Sequence, residues 1–275
     1  MFEYYPDRKD SEKAVPQYKV VYDVPEEHLP SIKYALAGFG GGIGRIAYTT
    51  VEYAIDTLDA VRIVRIFYYD FPPEVVINGE GIIEPVCVEI FASLGKNKLL
   101  LVTSPTQPIS CGHFELSQII LEQLKKMDVQ HCYTTASYFP RGKLDKGTRK
   151  IYIASSDRDI IKKWVEMNYP IAILEPGTCI TGMNGVLPTC APLYNISGAI
   201  ILCETYGYFV DKPDYSAAFS ALEALNQNLK LKIDLKELKK VALEKDKEVF
   251  SSVEKYADKL KMERKDVKDK PEGYL

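Results

Sequence analysis

Apolar residues recur along this chain in two alternating rhythms, short continuous runs and stripes spaced three to four apart. The run Ala199–Cys203 is too short for a membrane span and reads as a buried strand. A charged and aromatic elbow, Glu204–Asp211, follows it. Pro213 then stops any ladder, because proline has no N–H to donate. Ala218, Ala221, Leu222 and Leu225 come next at helical spacing. Strand, elbow and helix in that order set the elbow at a strand's carboxyl end, where ligands and partners of α/β sheets usually dock.

The same alternation runs through the rest of the chain. Ile32–Ala37 reads as a first buried strand, and Ile43, Ala47, Val51 and Ala54 or Ile55 predict a helix over Ile43–Leu58. Val61–Tyr68 reads as a strand that carries Arg62 and Arg65, and Asp70–Pro73 closes it. Val75–Gly81 predicts a short extended segment running into a turn. Pro85–Ser93 and Lys98–Thr103 predict a hairpin. A helix over His113–Met127 puts Leu116, Ile119, Ile120 and Leu124 on one face. Cys132–Ala136 is a strand preceded by His131 on the surface or in a loop, and Ile151–Ala154 is another. Ser155 and Ser156 offer N-caps to a helix reaching about Tyr169, with Trp164 packed inside it. Ile171–Leu174 is extended, and Gly182 and Gly185 lead into a short helix or strand ending near Pro188.

Strands alternating with helices predict an α/β fold. It is a single large domain over residues 31–233, with a mostly parallel sheet mixed by the hairpin and flanked by helices. Residues 1–30 read as an N-terminal extension with Pro6, Pro16, Pro25 and Pro30, in which Tyr18–Val24 makes an edge strand. Residues 234–275 hold 12 basic and 11 acidic residues and read as a C-terminal helical tail. Asp234 and Glu237 fit a capping box. Leu235, Leu238, Val241, Ala242, Val249, Val253, Tyr256 and Leu260 form a narrow stripe, packed on the chain's own body or on another subunit. From about Lys261 the charge density favours disorder.

Charge changes this picture little. The net charge of −3 gives no bulk electrostatic reason to bind nucleic acid or an anionic membrane. No stretch approaches the apolar length of a spanning helix, and the N-terminus has no apolar core for a signal peptide. The six cysteines lie at no CxxC spacing and read as buried thiols in a reducing cytoplasm, with no metal centre expected.

Two stretches suggest chemistry. Five glycines between Gly38 and Gly44 precede a predicted helix, where a glycine turn either cradles a phosphate or packs the helix on the sheet. Gly40, Gly42 and Gly44 are its candidate ligand positions, with Glu204 as a second contact at a strand end. The turn matches neither GxxxxGK[ST] nor GxGxxG. His113 at a helix start lacks a neighbouring ligand set. Arg141, Lys143, Lys146, Arg149 and Lys150 form a basic loop read as solvated.

The segment Cys203–Asn226, CETYGYFVDKPDYSAAFSALEALN, resembles the signature of the proteasome-assembling chaperone family in its archaeal branch. Gly38–Gly44, Asp70–Pro73 and Ile180–Leu187 fit the same pattern, so the resemblance spreads over roughly residues 31–233. It implies a phosphorylase-like core, a homo-oligomer, no cofactor, and proteasome α subunits as partners. It also implies docking through a C-terminal hydrophobic–tyrosine–any tail. Tyr274 and Leu275 stand in the last two positions, while Gly273 replaces the hydrophobe. The reading that follows is a non-enzymatic proteasome assembly chaperone or proteasome-binding adaptor. The alternatives are a nucleoside phosphorylase-like enzyme holding phosphate at the glycine turn, and an oligomeric scaffold for another partner.

Overall fold

The computed structural model describes residues 17–77, 79–109, 111–139, 149–172, 179–210 and 212–268. Ten strands are described: β1 Tyr18–Tyr22, β2 Tyr34–Phe39, β3 Val61–Tyr68, β4 Val75–Ile77, β5 Ile83–Pro85, β6 Val88–Ser93, β7 Leu99–Ser104, β8 His131–Tyr138, β9 Ile151–Ser155 and β10 Ser197–Glu204. The helices are α1 Ile46–Thr57, α2 Gly112–Lys126, α3 Arg158–Glu166, α4 Met183–Cys190, α5 Tyr215–Leu229 and α6 Lys236–Lys268. Eight strands form one sheet in the order β1-β3-β6-β7-β2-β8-β10-β9. The four central strands β7, β2, β8 and β10 run parallel. Antiparallel pairings add β6, β3 and β1 on one side and β9 on the other. Five of the eight strands, β2, β3, β7, β8 and β10, therefore point the same way, in a mixed, mostly parallel sheet.

Helices cover both faces. Leu116, Ile120 and Leu124 of α2 and Met183 and Leu187 of α4 bury against one side. Val51 and Ala54 of α1, Trp164 of α3, Leu222 and Leu225 of α5 and Leu238 of α6 bury against the other. The central strands are apolar on both faces, as expected for parallel strands covered twice; every residue of β7 is buried. Two helices touch the sheet backbone to backbone. A Cβ on Gly38 of β2 would lie 2.1 Å from the Ala47 carbonyl oxygen of α1. One on Gly198 of β10 would lie 1.8 Å from the Pro188 carbonyl oxygen of α4.

Several expectations shift. The first buried strand starts at Tyr34 and takes in Gly38 and Phe39. α1 begins at Ile46, not Ile43, because Gly44 (φ 69°) and Arg45 (φ 44°) lie in the left-handed region and break the path from the 3-10 turn Ile43–Arg45. Asp157, not Ser155 or Ser156, caps α3: its carboxylate accepts the Asp159 N–H at 2.9 Å. Both serine hydroxyls instead donate to the Gly198 carbonyl, at 2.8 and 3.1 Å. α3 ends at Glu166. His131 opens β8 half-buried and stacked on Tyr34 at 5.4 Å. Burial, then Lys33, pushes its pKa down. The Gly182 turn leads into a helix, α4.

Arg62 and Arg65 are three apart, so strict alternation would split them between faces. A register shift between Arg62 and Val64 brings both to Asp23 beyond β1, at 2.7 Å each. Burial works to raise the Asp23 carboxyl, and the two guanidinium groups hold it below its ordinary range.

At the C-terminus α6 continues to Lys268, past the expected onset of disorder at Lys261. Lys, Glu, Arg and Met are good helix formers, so dense charge of both signs does not stop a helix. Asp234 accepts the Lys236 N–H at 3.0 Å, while Glu237 pairs with Lys240 at 3.7 Å. Leu238, Ala242 and Val249 are buried, so this part of the stripe packs on its own body, while the side chains of Tyr256 and Leu260 lie outside the described residues.

Candidate functional site

The glycine turn sits at the carboxyl end of β2, wedged between β7 and the elbow after β10. The Gly40 N–H donates to the Ser104 carbonyl at 2.9 Å, and a Cβ there would lie 1.8 Å from the Pro105 carbonyl oxygen. A Cβ on Gly44 would come within 3.2 Å of Asp214 and 3.3 Å of the Thr205 hydroxyl. The Asp214 N–H donates to the Gly44 carbonyl at 2.8 Å. Gly40 and Gly44 thus face protein. Gly42 has open space around it and lines a cavity of about 710 Å³.

That cavity opens at the carboxyl ends of β2, β8 and β10, the place where α/β sheets usually hold ligands. Two side-chain amides fix its walls. Gln107 donates to the Gly40 carbonyl and accepts the Met183 N–H at 2.8 Å, tying the glycine turn to the start of α4. Asn184 accepts the Phe39 N–H at 3.0 Å and donates to the Phe39 carbonyl at 3.1 Å, extending β2 as a strand would. Phe39, Ile180, Leu202 and Tyr138 supply apolar surface.

Glu204 lies elsewhere. It is buried and accepts a 2.8 Å hydrogen bond from Tyr152 on β9, outside the cavity lining. Burial, then Glu204, pushes the Tyr152 phenol up to about 12. Tyr152 packs edge-on against Tyr138 at 5.2 Å. The structure therefore does not bring Glu204 and the glycine turn into one site. His113 stands in the first turn of α2, and among the described residues no group of three His, Cys, Asp or Glu side chains is placed to hold a metal. Cys132, Cys190 and Cys203 are buried, but Cys111 and Cys179 are exposed, because both lie in loops rather than apolar strands.

A buried ionic cluster escaped the sequence reading. Arg149, expected in a solvated loop, has a fully buried side chain. Its Nε donates to Asp214 at 3.0 Å, and Nη2 and Nη1 donate to Asp246 at 2.8 and 3.3 Å. Thr205 also donates to Asp214, at 2.8 Å, and Ser216 to Asp246, at 2.9 Å. Asp214 in addition caps α5 by accepting the Ala217 N–H at 3.0 Å. Burial raises the Asp214 carboxyl while Arg149 pulls against it. The signal was the gap in the α6 stripe: Asp246 occupies the helical position between Ala242 and Val249. The cluster joins α6, the start of α5 and the elbow that carries the family-like segment.

The β4–β5 hairpin gathers several exposed apolar residues. Val75, Ile77 and Ile83 are 62%, 67% and 67% exposed, and the pair stands as a separate two-stranded sheet. An isolated two-stranded hairpin is marginal in water. Tyr274 and Leu275, and Arg141, Lys143 and Lys146 of the basic loop, lie outside the described residues.

Comparison with known proteins agrees with the resemblance and the fold. The PAC2 family model matches residues 35–250. An uncharacterised protein of Methanocaldococcus jannaschii, MJ1210, is 28% identical over 221 residues, 80% of each chain. Among solved structures, Pyrococcus furiosus PbaB, an archaeal proteasome activator, superposes with a TM-score of 0.75 at 22% identity, covering 87% of this chain and all of that one. Pyrococcus furiosus PbaA, an archaeal homologue of proteasome-assembly chaperone, gives 0.67 at 24% identity over 90% and 97%. No helix among the described residues is long and apolar enough to cross a membrane.

Proposed function

Because the chain belongs to the PAC2 family, we propose that it is a non-enzymatic proteasome assembly chaperone or proteasome-binding adaptor of the cytoplasm, docking on proteasome α subunits partly through Tyr274 and Leu275. The observation that carries this reading is the family match over residues 35–250, joined to a fold shared with an archaeal proteasome activator along that protein's whole length. The body acts as a homo-oligomer, and the exposed β4–β5 hairpin supplies apolar surface for a second copy. Several tails on one oligomer then strengthen one another through effective concentration. The test is retention of purified archaeal α subunits by the intact protein and by a form lacking Tyr274 and Leu275. Retention that needs both residues supports partner and tail together. Retention that survives truncation keeps the partner and moves docking to the body. Absence of retention by either form overturns the reading.

A nucleoside phosphorylase-like activity is the alternative that the cavity beside the glycine turn favours. It is measured as phosphate-dependent cleavage of inosine or adenosine. Glu204 lies outside the cavity lining and is hydrogen-bonded to Tyr152.

A further inference from the structure

We infer that the elbow after β10 presents Tyr208 and Val210 as a second, apolar contact with the same partner that the tail engages, the proteasome α subunit. This deepens the proteasome reading and rests on it.

Exposed apolar side chains are unevenly placed about the sheet. Among the described residues, Tyr69, Ile109, Phe114, Phe139, Tyr208 and Val210 are exposed in segments at the carboxyl ends of β3, β7, β8 and β10. The amino ends of the same strands show Val61, Leu94 and Leu193. Exposed apolar surface gathered on one side marks an interaction site, whereas single scattered residues do not. α6 ties that side to the tail. Just before α6, the Lys232 N–H donates to Asn97 in the β6–β7 turn at 2.8 Å, which places the helix start at the amino ends of the strands. Asp246 then accepts from Ser216, in the first turn of α5 at the carboxyl ends, at 2.9 Å. From Val249 α6 runs on to Lys268, about 28 Å at the α-helical rise. It therefore leaves the body on the side of the elbow, and Tyr274 and Leu275 stand six and seven positions beyond Lys268. A partner held by those two residues is brought to the elbow side, away from the amino ends.

Within that side, the elbow is the part fixed directly to α6. Phe209, between the two exposed residues, is 1% exposed, and the Arg149 guanidinium lies 5.5 Å from its ring centre. The same guanidinium donates to Asp246 of α6 and to Asp214. Thr205, at the head of the elbow, donates to Asp214 as well. Tyr208 and Val210, each 53% exposed, thus stand on a backbone anchored from beneath, and Tyr206 stacks on Tyr208 at 6.5 Å. A contact held in place beforehand loses little freedom on binding. Tyrosine is also enriched among the residues that dominate protein interfaces. The matching surface on the partner is apolar. The tie to α6 assigns the elbow to the partner of the tail, whereas the β4–β5 hairpin has no such tie and is left to a second copy.

The experiment is isothermal titration of purified archaeal proteasome α subunits with the full-length protein. The natural protein is compared with Tyr208→Ser/Val210→Ser, with a form lacking Tyr274 and Leu275, and with the two changes combined. Leu193→Ser, at a residue 76% exposed at the amino ends, is the control. Both elbow residues are more than half exposed, so serine leaves the fold in place, and a thermal melt matching the natural protein checks this. Tyr208→Ser alone, expected to weaken binding severalfold, replaces the double change should that lower the melt. The expected result is binding weakened about tenfold or more in the double variant and unchanged in Leu193→Ser. The combined form should lose more than either change alone, because two contacts on one partner reinforce each other. No binding by the natural protein overturns the proteasome reading and this inference with it. Binding by the natural protein that the double variant keeps in full overturns this inference alone. So does an equal loss in Leu193→Ser, or a fall in the double variant's own mass by light scattering, which gives the elbow to a second copy.

Discussion

Replacing Arg149 with methionine should destabilise the protein more than replacing Asp246 with asparagine, although both changes cut the same cluster. One guanidinium and two carboxylates stand together with side-chain exposures of 0%, 0% and 8%. The formal charges sum to −1. Arg149→Met removes three hydrogen bonds and leaves two buried carboxylates, a net −2, facing only hydroxyls and one backbone N–H. Breaking a buried pair by deleting one partner typically costs about 3–5 kcal/mol. Asp246→Asn takes the net charge to zero and keeps one amide oxygen, so of the two bonds from Arg149 one is weakened and one is lost, at about 1.5–3 kcal/mol. Against a total stability of about 5–15 kcal/mol, the first change removes a large share and the second a smaller one. Urea unfolding followed by far-ultraviolet circular dichroism measures both. Limited proteolysis within α6 should report the same order, because Asp246 is what ties that helix to Arg149. An Asp246→Asn variant as unstable as Arg149→Met would refute the charge argument and leave hydrogen-bond number as the explanation.

Two further outcomes follow from the geometry. Burial is the main cause that raises the Glu52 carboxyl above its ordinary value of 4.5; Asp56 and Glu89 add to it and the Thr103 hydrogen bond opposes it. A raised folded-state pKa means that Glu52 supports folding below its unfolded value and loses that support as pH rises through the folded value. Glu52→Gln should therefore raise Tm by a few degrees at neutral pH and leave it unchanged in acid, and a lower Tm at neutral pH would count against this. Changing Val75, Ile77 and Ile83 together to serine should leave the thermal melt of the body intact and reduce the molecular mass seen by light scattering, whereas an unchanged assembly would remove the hairpin as the contact between copies.

The strands that the sequence located best are those whose own composition decides them. β3 has the expected bounds, since Val61–Tyr68 packs β-branched and aromatic residues into a single run. The β6–β7 hairpin and β10 are legible for the same reason. The harder cases turn on contacts between distant residues. Arg149 reads as one more cation in a basic run, and only Asp214 and Asp246, 65 and 97 positions away, make it interior. Asp246 breaks an apolar stripe, a pattern that reads as surface until its partner is known. The serines before α3 have good N-cap chemistry, but the Gly198 carbonyl of the neighbouring strand takes both hydroxyls. The glycine turn was visible, yet which glycine faces protein and which faces the cavity depends on β7, α4 and the elbow folding around it.

The backbone contacts of Gly38 and Gly198 bear on how far this chain can diverge. Each fixes a helix to a central strand without any side chain between them, α1 on one face and α4 on the other. The two helices that wall the cavity are therefore held by positions where any larger residue meets a carbonyl oxygen. Ala47, Gln107 and Asn184 of the lining belong to that frame, and substitution can rewrite the rest of the lining while the frame stays in place. A fold framed in this way can be kept while most of its side chains change, as it is at 22% identity over the whole of PbaB.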